Sequence, residues 1–183
     1  MRKLIMWNLL TLDGYFEGAK NWDLPWHERV WGEELERFSL EQLGSADALL
    51  FGRVTYEGMA AYWQTAQGKI ADYMNSLPKV VCSRTLHTAD WNNTTLVKGN
   101  VAGEVAKLKQ QGNGNIFVFG SANLSKTLMN EGLFDEYRLG IAPVIYGNGR
   151  LLFSDGLEPQ ELNLLESRSL STGCVILRYQ RMA

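Results

Sequence analysis

Cysteine and histidine are scarce in this chain, with two of each among 183 residues and no C-x-x-C pair. That scarcity argues against a disulfide framework and against a structural zinc site, so no metal is expected, and a reducing cytoplasm is the compartment that fits. Charge of one sign is lacking as well. The formal net charge is -2 and no long basic run occurs, which argues against nucleic acid as a partner. No segment has the length or apolarity of a membrane span. The opening residues Met1-Arg2-Lys3-Leu4-Ile5-Met6-Trp7 begin with charge but turn polar at Asn8, Thr11 and Asp13. They read as a first strand rather than a signal peptide. With no repeat, low-complexity tract or internal boundary, one domain over residues 1–183 is expected, and 45% hydrophobic residues suffice for a sizeable core.

What is present is a recurring grammar of strand, glycine and helix. Ile116 to Phe119 is a short apolar run typical of a strand buried on both faces. It stops at Gly120-Ser121, after which Leu124, Leu128 and Met129 fall at helical spacing and Gly132 closes the helix. Such a junction offers free backbone N–H groups and a positive dipole end, a natural seat for phosphate. The same glycine also serves where a strand–helix turn needs it for geometry alone. Ala46 to Phe51 followed by Gly52-Arg53-Val54-Thr55 repeats the pattern, with a helix running toward Trp63.

Further strands are expected at Lys3 to Leu12, Lys79 to Cys82 and Thr94 to Val97, and helices at His27 to Leu43 and Val101 to Gln111. Leu133 to Ile145 is strand-like up to Pro143, and Leu162 to Leu170 with Cys174 to Gln180 form an antiparallel C-terminal hairpin. Strands alternating with helices predict an α/β fold, its central sheet mostly parallel and covered on both faces. Tyr15 to Trp26 is a loop whose large rings are expected to pack over a cleft.

The order and spacing of F-G-R-V-T-Y-E (Phe51 to Glu57), V-V-C-S-R-T (Val80 to Thr85) and V-F-G-S-A-N-L (Val118 to Leu124) resemble the three NADPH-contacting segments of the dihydrofolate reductase fold. L-D-G-Y-F-E-G followed by W-D-L-P resembles that family's mobile active-site loop and the entry to its substrate helix. Gly132 to Phe153 is closer to the reductase domain of bacterial riboflavin-biosynthesis enzymes and its stand-alone homologues.

The resemblance implies an NADP(H)-dependent reductase acting on a small, flat, nitrogen-containing heterocycle. Cofactor contacts fall on Gly52, Arg53, Val54, Thr55, Gly120, Ser121, Ala122, Asn123 and Leu124, with Ser83 and Arg84 at the 2′-phosphate. A guanidinium beside a hydroxyl suits that group. His27 stands where folate reductases carry a carboxylate, which argues against dihydrofolate itself. His27 and Asp13 are then the proposed proton donors, with Glu17 and Asp23 in the same loop behind them. Each has a plainer reading, as a helix-start polar residue or a common Asp-Gly turn. Trp22, Trp26 and Trp31 are assigned to stacking on the substrate, or else to core and lid packing. Without the zinc-bearing deaminase partner of the riboflavin enzymes, a related reduction is expected rather than the complete role in that synthesis. The alternatives are a nucleotide-binding protein of the same fold with little chemistry, and dihydrofolate reductase proper. By the same resemblance a homodimer is expected.

Overall fold

Six strands rich in Val, Ile, Leu and Phe run parallel through the molecule because both faces of their sheet are covered. The computed structural model describes residues 1–182. Its elements are β1 (Lys3–Thr11), β2 (Tyr15–Glu17), α1 (Pro25–Val30), α2 (Glu33–Gly44), β3 (Ala46–Gly52), α3 (Arg53–Trp63), α4 (Lys69–Ser76), β4 (Lys79–Cys82), β5 (Thr94–Val97), α5 (Val101–Lys109), β6 (Asn115–Phe119), α6 (Ala122–Asn130), β7 (Glu136–Ala142), β8 (Arg150–Leu151), β9 (Leu162–Ser169) and β10 (Val175–Arg181). The order across the 8-stranded sheet is β5-β4-β3-β6-β1-β7-β10-β9. The first six are parallel, while β10 pairs antiparallel with both β7 and β9. No helix among the described residues is long and apolar enough to cross a membrane.

Alternation along the strands divides the core in two. Ile5, Trp7, Leu49, Phe51 and Phe117 pack under α1 to α4, and Leu4, Met6, Leu50, Ile116 and Val118 under α5 and α6. The helices α3 and α6 therefore leave the adjacent strands β3 and β6 toward opposite faces. Such a reversal opens a crevice at the carboxyl ends of the strands.

Three local features depart from the sequence reading. The helix expected over His27 to Leu43 is two helices, because Trp31 (ψ 138) and Gly32 (φ 176, ψ 178) are extended between them. Pro25 fixes the start of α1, and Gly32 is a poor helix former at the joint. The helix α4 was not foreseen. It is held from beyond its end by the buried Lys79, whose Nζ donates to the carbonyls of Met74 (2.9 Å), Asn75 (3.1 Å) and Leu77 (2.8 Å) and lies 4.5 Å from the Trp91 ring centre. A cation at a helix C-terminus is favourable. Lastly, β2 forms a small antiparallel ribbon with β8 inside the segment expected to be a loop.

Candidate functional site

Gly52, at the end of β3, pairs in register with Cys82 at the end of β4, and β6 ends beside them at Phe119. Gly52, Ser83 and Gly120 therefore share one crevice, a cleft of about 1020 Å3 also lined by Arg53, Val54, Thr55 and Arg84 and by Ser121 to Leu124. Every proposed cofactor residue faces it.

The two strand–helix junctions are stitched together across this crevice. The Gly52 N–H donates to Ser121 Oγ (2.9 Å), and the Ser121 N–H donates to Thr55 Oγ1 (3.1 Å). Gly120 has φ +53, and a Cβ there would lie 3.3 Å from Thr55 Oγ1. A side chain would crowd the stitch as well as strain the backbone. The hydroxyl oxygens of Thr55 and Ser121 thus each accept a main-chain N–H from the other junction. Neither α3 nor α6 has a side-chain cap at its N-terminus. Their first-turn N–H groups are free donors at the positive end of a dipole, the arrangement that takes a pyrophosphate. The residues fit a dinucleotide.

At the far end of the cleft, the Ser83 oxygen accepts N–H groups from Thr85 (3.2 Å) and Leu86 (2.9 Å), shaping the turn that presents Arg84. Lys98 follows β5 directly and lines the same edge, since Ser83 N–H bonds the Val97 carbonyl at 2.9 Å. Arg53 is paired with Glu57 at 2.9 Å, whereas Arg84 and Lys98 form no ion pair among the described residues. Sequence reasoning missed Lys98. Its signal is a cation just past a strand end, as at Arg84.

The other half of the cleft is apolar, with walls from Leu9, Leu35, Met59, Trp63 and Phe119. Trp22 and Trp31 line it as expected. Trp26 does not: it is 2% exposed, packs with α2 and α3 in the core, and meets Tyr146 edge-on at 4.9 Å. The helical phase of α1 turns it inward, so the substrate contact assigned to it is corrected to core packing.

Asp13 also lies outside the cleft lining. Its carboxylate accepts the N–H groups of Tyr146 (3.1 Å) and Gly147 (2.7 Å), pinning the turn before β8. The Thr11 hydroxyl and those two N–H groups hold its carboxyl at about 2. Outside the cleft lining and engaged with that turn, Asp13 is not placed against a ligand in the cleft as the proton-donor reading expected. His27 does line the cleft, but burial pushes its imidazole down to about 4, so it is neutral near pH 7 rather than a ready acid. Cys82 in the same wall is pushed up to about 11 by burial, which removes it as a nucleophile.

Glu17 lines the cleft as an engaged carboxylate, accepting the Trp22 N–H (2.5 Å) and pairing with Arg150 (3.2 Å). Trp22 stands in left-handed backbone (φ 65) and lays its indole on Gly58 of α3, where a Cβ would fall 2.0 Å from the ring. Loop and helix are thereby latched across the cleft mouth. The Asp23 carboxylate accepts the Tyr146 hydroxyl at 3.4 Å on the loop's outer side.

Three buried nitrogens in the cleft wall have no partner: Asn8 Nδ2, His27 Nε2 and Gln42 Nε2. An unmet buried polar group costs about 1–3 kcal/mol, and all three nitrogens are closed off by surrounding protein atoms. Asn8 and Gln42 were not singled out from the sequence. Gln42 did carry a signal, as a polar residue on the inward face of a helix that also buries Leu35, Phe38 and Leu43.

Comparison with known proteins agrees with this architecture. The family described as the RibD C-terminal domain matches residues 2–176. The uncharacterized protein YyaP of Bacillus subtilis (strain 168) is 31% identical over 183 residues, covering 97% of this chain and 94% of its own length. A Shewanella sp. PV-4 protein named for riboflavin biosynthesis superposes with a TM-score of 0.80 at 21% identity, covering 99% of each chain. Dihydrofolate reductase of Enterococcus faecalis, complexed with NADP(H), does so at 0.65 and 13% identity, covering 99% of this chain and 97% of that one. Matched over nearly its whole length and built on a sheet of the dihydrofolate reductase type, the chain belongs to the RibD C-terminal domain family.

Proposed function

We propose that this protein is an NADP(H)-dependent reductase that delivers hydride to a small, flat, nitrogen-containing heterocycle of the pyrimidine or pteridine kind. One observation carries the reading: two uncapped helix N-termini meet at the sheet's reversal point, with the unpaired cations Arg84 and Lys98 along the same crevice. The N–H groups of Arg53 to Thr55 and of Ala122 to Leu124 would hold the pyrophosphate, and Ser83, Arg84 and Lys98 the 2′-phosphate. When bound, a reduced nicotinamide dinucleotide supplies the hydride. Trp22 and Trp31 flank the substrate and, with Met59 and Trp63, keep water from the apolar half. His27 holds the ring by a hydrogen bond as a neutral imidazole. With Asp13 outside the cleft, the proton that completes reduction comes from water at its mouth.

Among the described residues the substrate half has no free carboxylate, since Glu17 is engaged twice. That speaks against dihydrofolate, whose amidine edge takes a paired carboxylate. The lack of a ready acid favours a second reading, a nucleotide-binding protein without turnover. We further propose a homodimer, because the edge strand β9 leaves Leu162, Leu164 and Leu165 exposed. Titration calorimetry tests the main reading. Arg84→Ala is expected to lose at least about tenfold in NADPH affinity, as for a charge-assisted contact, with NADH unchanged. Equal loss for both cofactors overturns the assignment. Loss of NADPH absorbance with any pteridine or pyrimidine separates the reductase from the silent binder.

A further inference from the structure

The helix α4 supplies a wall to the apolar half of the cleft. It packs against both α2 and α3. Asn75 fixes it there, its Nδ2 donating to the Trp63 carbonyl at 2.8 Å and its Oδ1 accepting the Trp91 indole N–H at 2.7 Å. Ile70 and Met74, one turn apart on α4, both line the cleft. Met74 is buried, whereas Ile70 keeps part of its surface open.

Ile70 is one of a set. Leu9, Met59, Trp63, Ile70 and Phe119 pack against the core under α1 to α4, yet each is only partly buried, and all of them line the cleft. Carbon left open in a concavity is surface that an apolar ligand can cover. The polar groups beside it are already engaged. Trp63 Nε1 donates to Met59 Sδ at 3.1 Å, and Ser39 Oγ donates to the Leu35 carbonyl at 2.8 Å. Gln42 is 2% exposed and its oxygen accepts from Arg138 Nη1 at 3.3 Å. Neither α2 nor α4 brings a charged side chain to the lining. Of the charged groups that do line it, Glu17 pairs with Arg150 and Arg53 with Glu57, while Arg84 and Lys98 follow β4 and β5 at the dinucleotide end. A hydroxyl, phosphate or carboxylate seated beside α4 would shed water and gain no partner.

We propose that the pocket bounded by α2, α3 and α4 takes a compact alkyl group carried by the substrate ring, and that Ile70 is its specificity-determining residue. It admits the alkyl group and rejects a sugar, phosphate or carboxylate in the same place. The inference deepens the reductase reading and rests on it only for which half of the cleft is left to the substrate.

The test is titration calorimetry of the NADP+-loaded protein, in which no hydride can pass. The probes are pterin and its 6-propyl, 6-(1,2-dihydroxypropyl) and 6-carboxylate derivatives. At about fourfold per carbon covered, 6-propylpterin should bind at least about tenfold tighter than pterin. Its binding should also show the more negative heat-capacity change. The dihydroxypropyl compound should bind at least about tenfold more weakly than the propyl one, because its hydroxyls lose water without finding partners. The carboxylate should bind more weakly than pterin itself. Ile70→Arg places a cation at that wall and should lift the carboxylate above pterin. Ile70→Ala, the milder change, should weaken 6-propylpterin by about fourfold or more and leave pterin unchanged, which keeps the proposal testable if the arginine variant does not fold. Equal affinity for pterin and its propyl derivative, a wild-type preference for the dihydroxypropyl or carboxylate compound, binding of no pterin, or an Ile70→Ala variant indistinguishable from wild type would each overturn it. Failure of NADP+ to bind strikes the reductase reading, while loss of the alkyl preference with NADP+ bound strikes this pocket alone.

Discussion

A neutral histidine inside a cleft makes stability depend on acid. The unfolded chain protonates His27 near its ordinary value of about 6.5, but the folded chain does so only near about 4. Between those values the unfolded state binds more protons, so stability falls as pH falls, by up to roughly 3 kcal/mol once both are charged. His27→Gln has no proton to gain. Its melting temperature is expected to drop less than the wild type's between pH 7 and pH 4.5, and parallel curves would remove burial as the cause. At Gly120 the cost is conformational. An alanine at φ +53 is strained by about 1–2 kcal/mol and presses on Thr55 Oγ1. Gly120→Ala should therefore lower the melting temperature and weaken NADPH and NADH alike. Arg84→Ala, by contrast, should weaken NADPH alone.

Among the elements, α1 separates two tryptophans that the sequence could not tell apart. Trp26 is buried and Trp31 is half exposed at the cleft. Trp26→Ala should cost about 3–5 kcal/mol of stability, measured by urea unfolding. Trp31→Ala should leave stability within about 0.5 kcal/mol but reduce heterocycle affinity, measured by calorimetry. The reverse outcome would return Trp26 to the site. Elements whose signal is local were legible. The strands β4 and β5 fall where their apolar runs fall, and the junctions at Gly52 and Gly120 announce themselves by a glycine between two periodicities. The break at Gly32 was hidden because the apolar spacing continues through it, and α4 because the cation that caps it is Lys79, from the next strand. Gln42 and Asn8 needed the assembled cleft to show that their amides lack partners. Asp13 and Trp26 misled because a turn carboxylate looks the same in sequence as a catalytic one, and a core indole the same as one that stacks on a substrate.

For the whole molecule, the parallel part of the sheet supplies the cleft and the antiparallel part supplies an unfinished edge. The strand β9 offers unpaired backbone and three exposed leucines, and register shifts beside it between Arg178 and Tyr179. Leu164→Lys should convert a dimer to monomer in sedimentation at micromolar concentration, with NADPH affinity unaltered. A wild type already monomeric there would dismiss the pairing. The stitch between Gly52, Ser121 and Thr55 has its own consequence. Because each hydroxyl oxygen takes a main-chain N–H of the other junction, the proposed dinucleotide's charged middle would fall chiefly to main-chain amides, which substitution hardly alters. The proposed choice between a phosphorylated and a plain ribose would rest instead on side chains at a different strand end. On the proposed reading, hold and preference would be separately adjustable, and surface changes near Arg84 and Lys98 should trade one nicotinamide dinucleotide for the other without rebuilding the cradle.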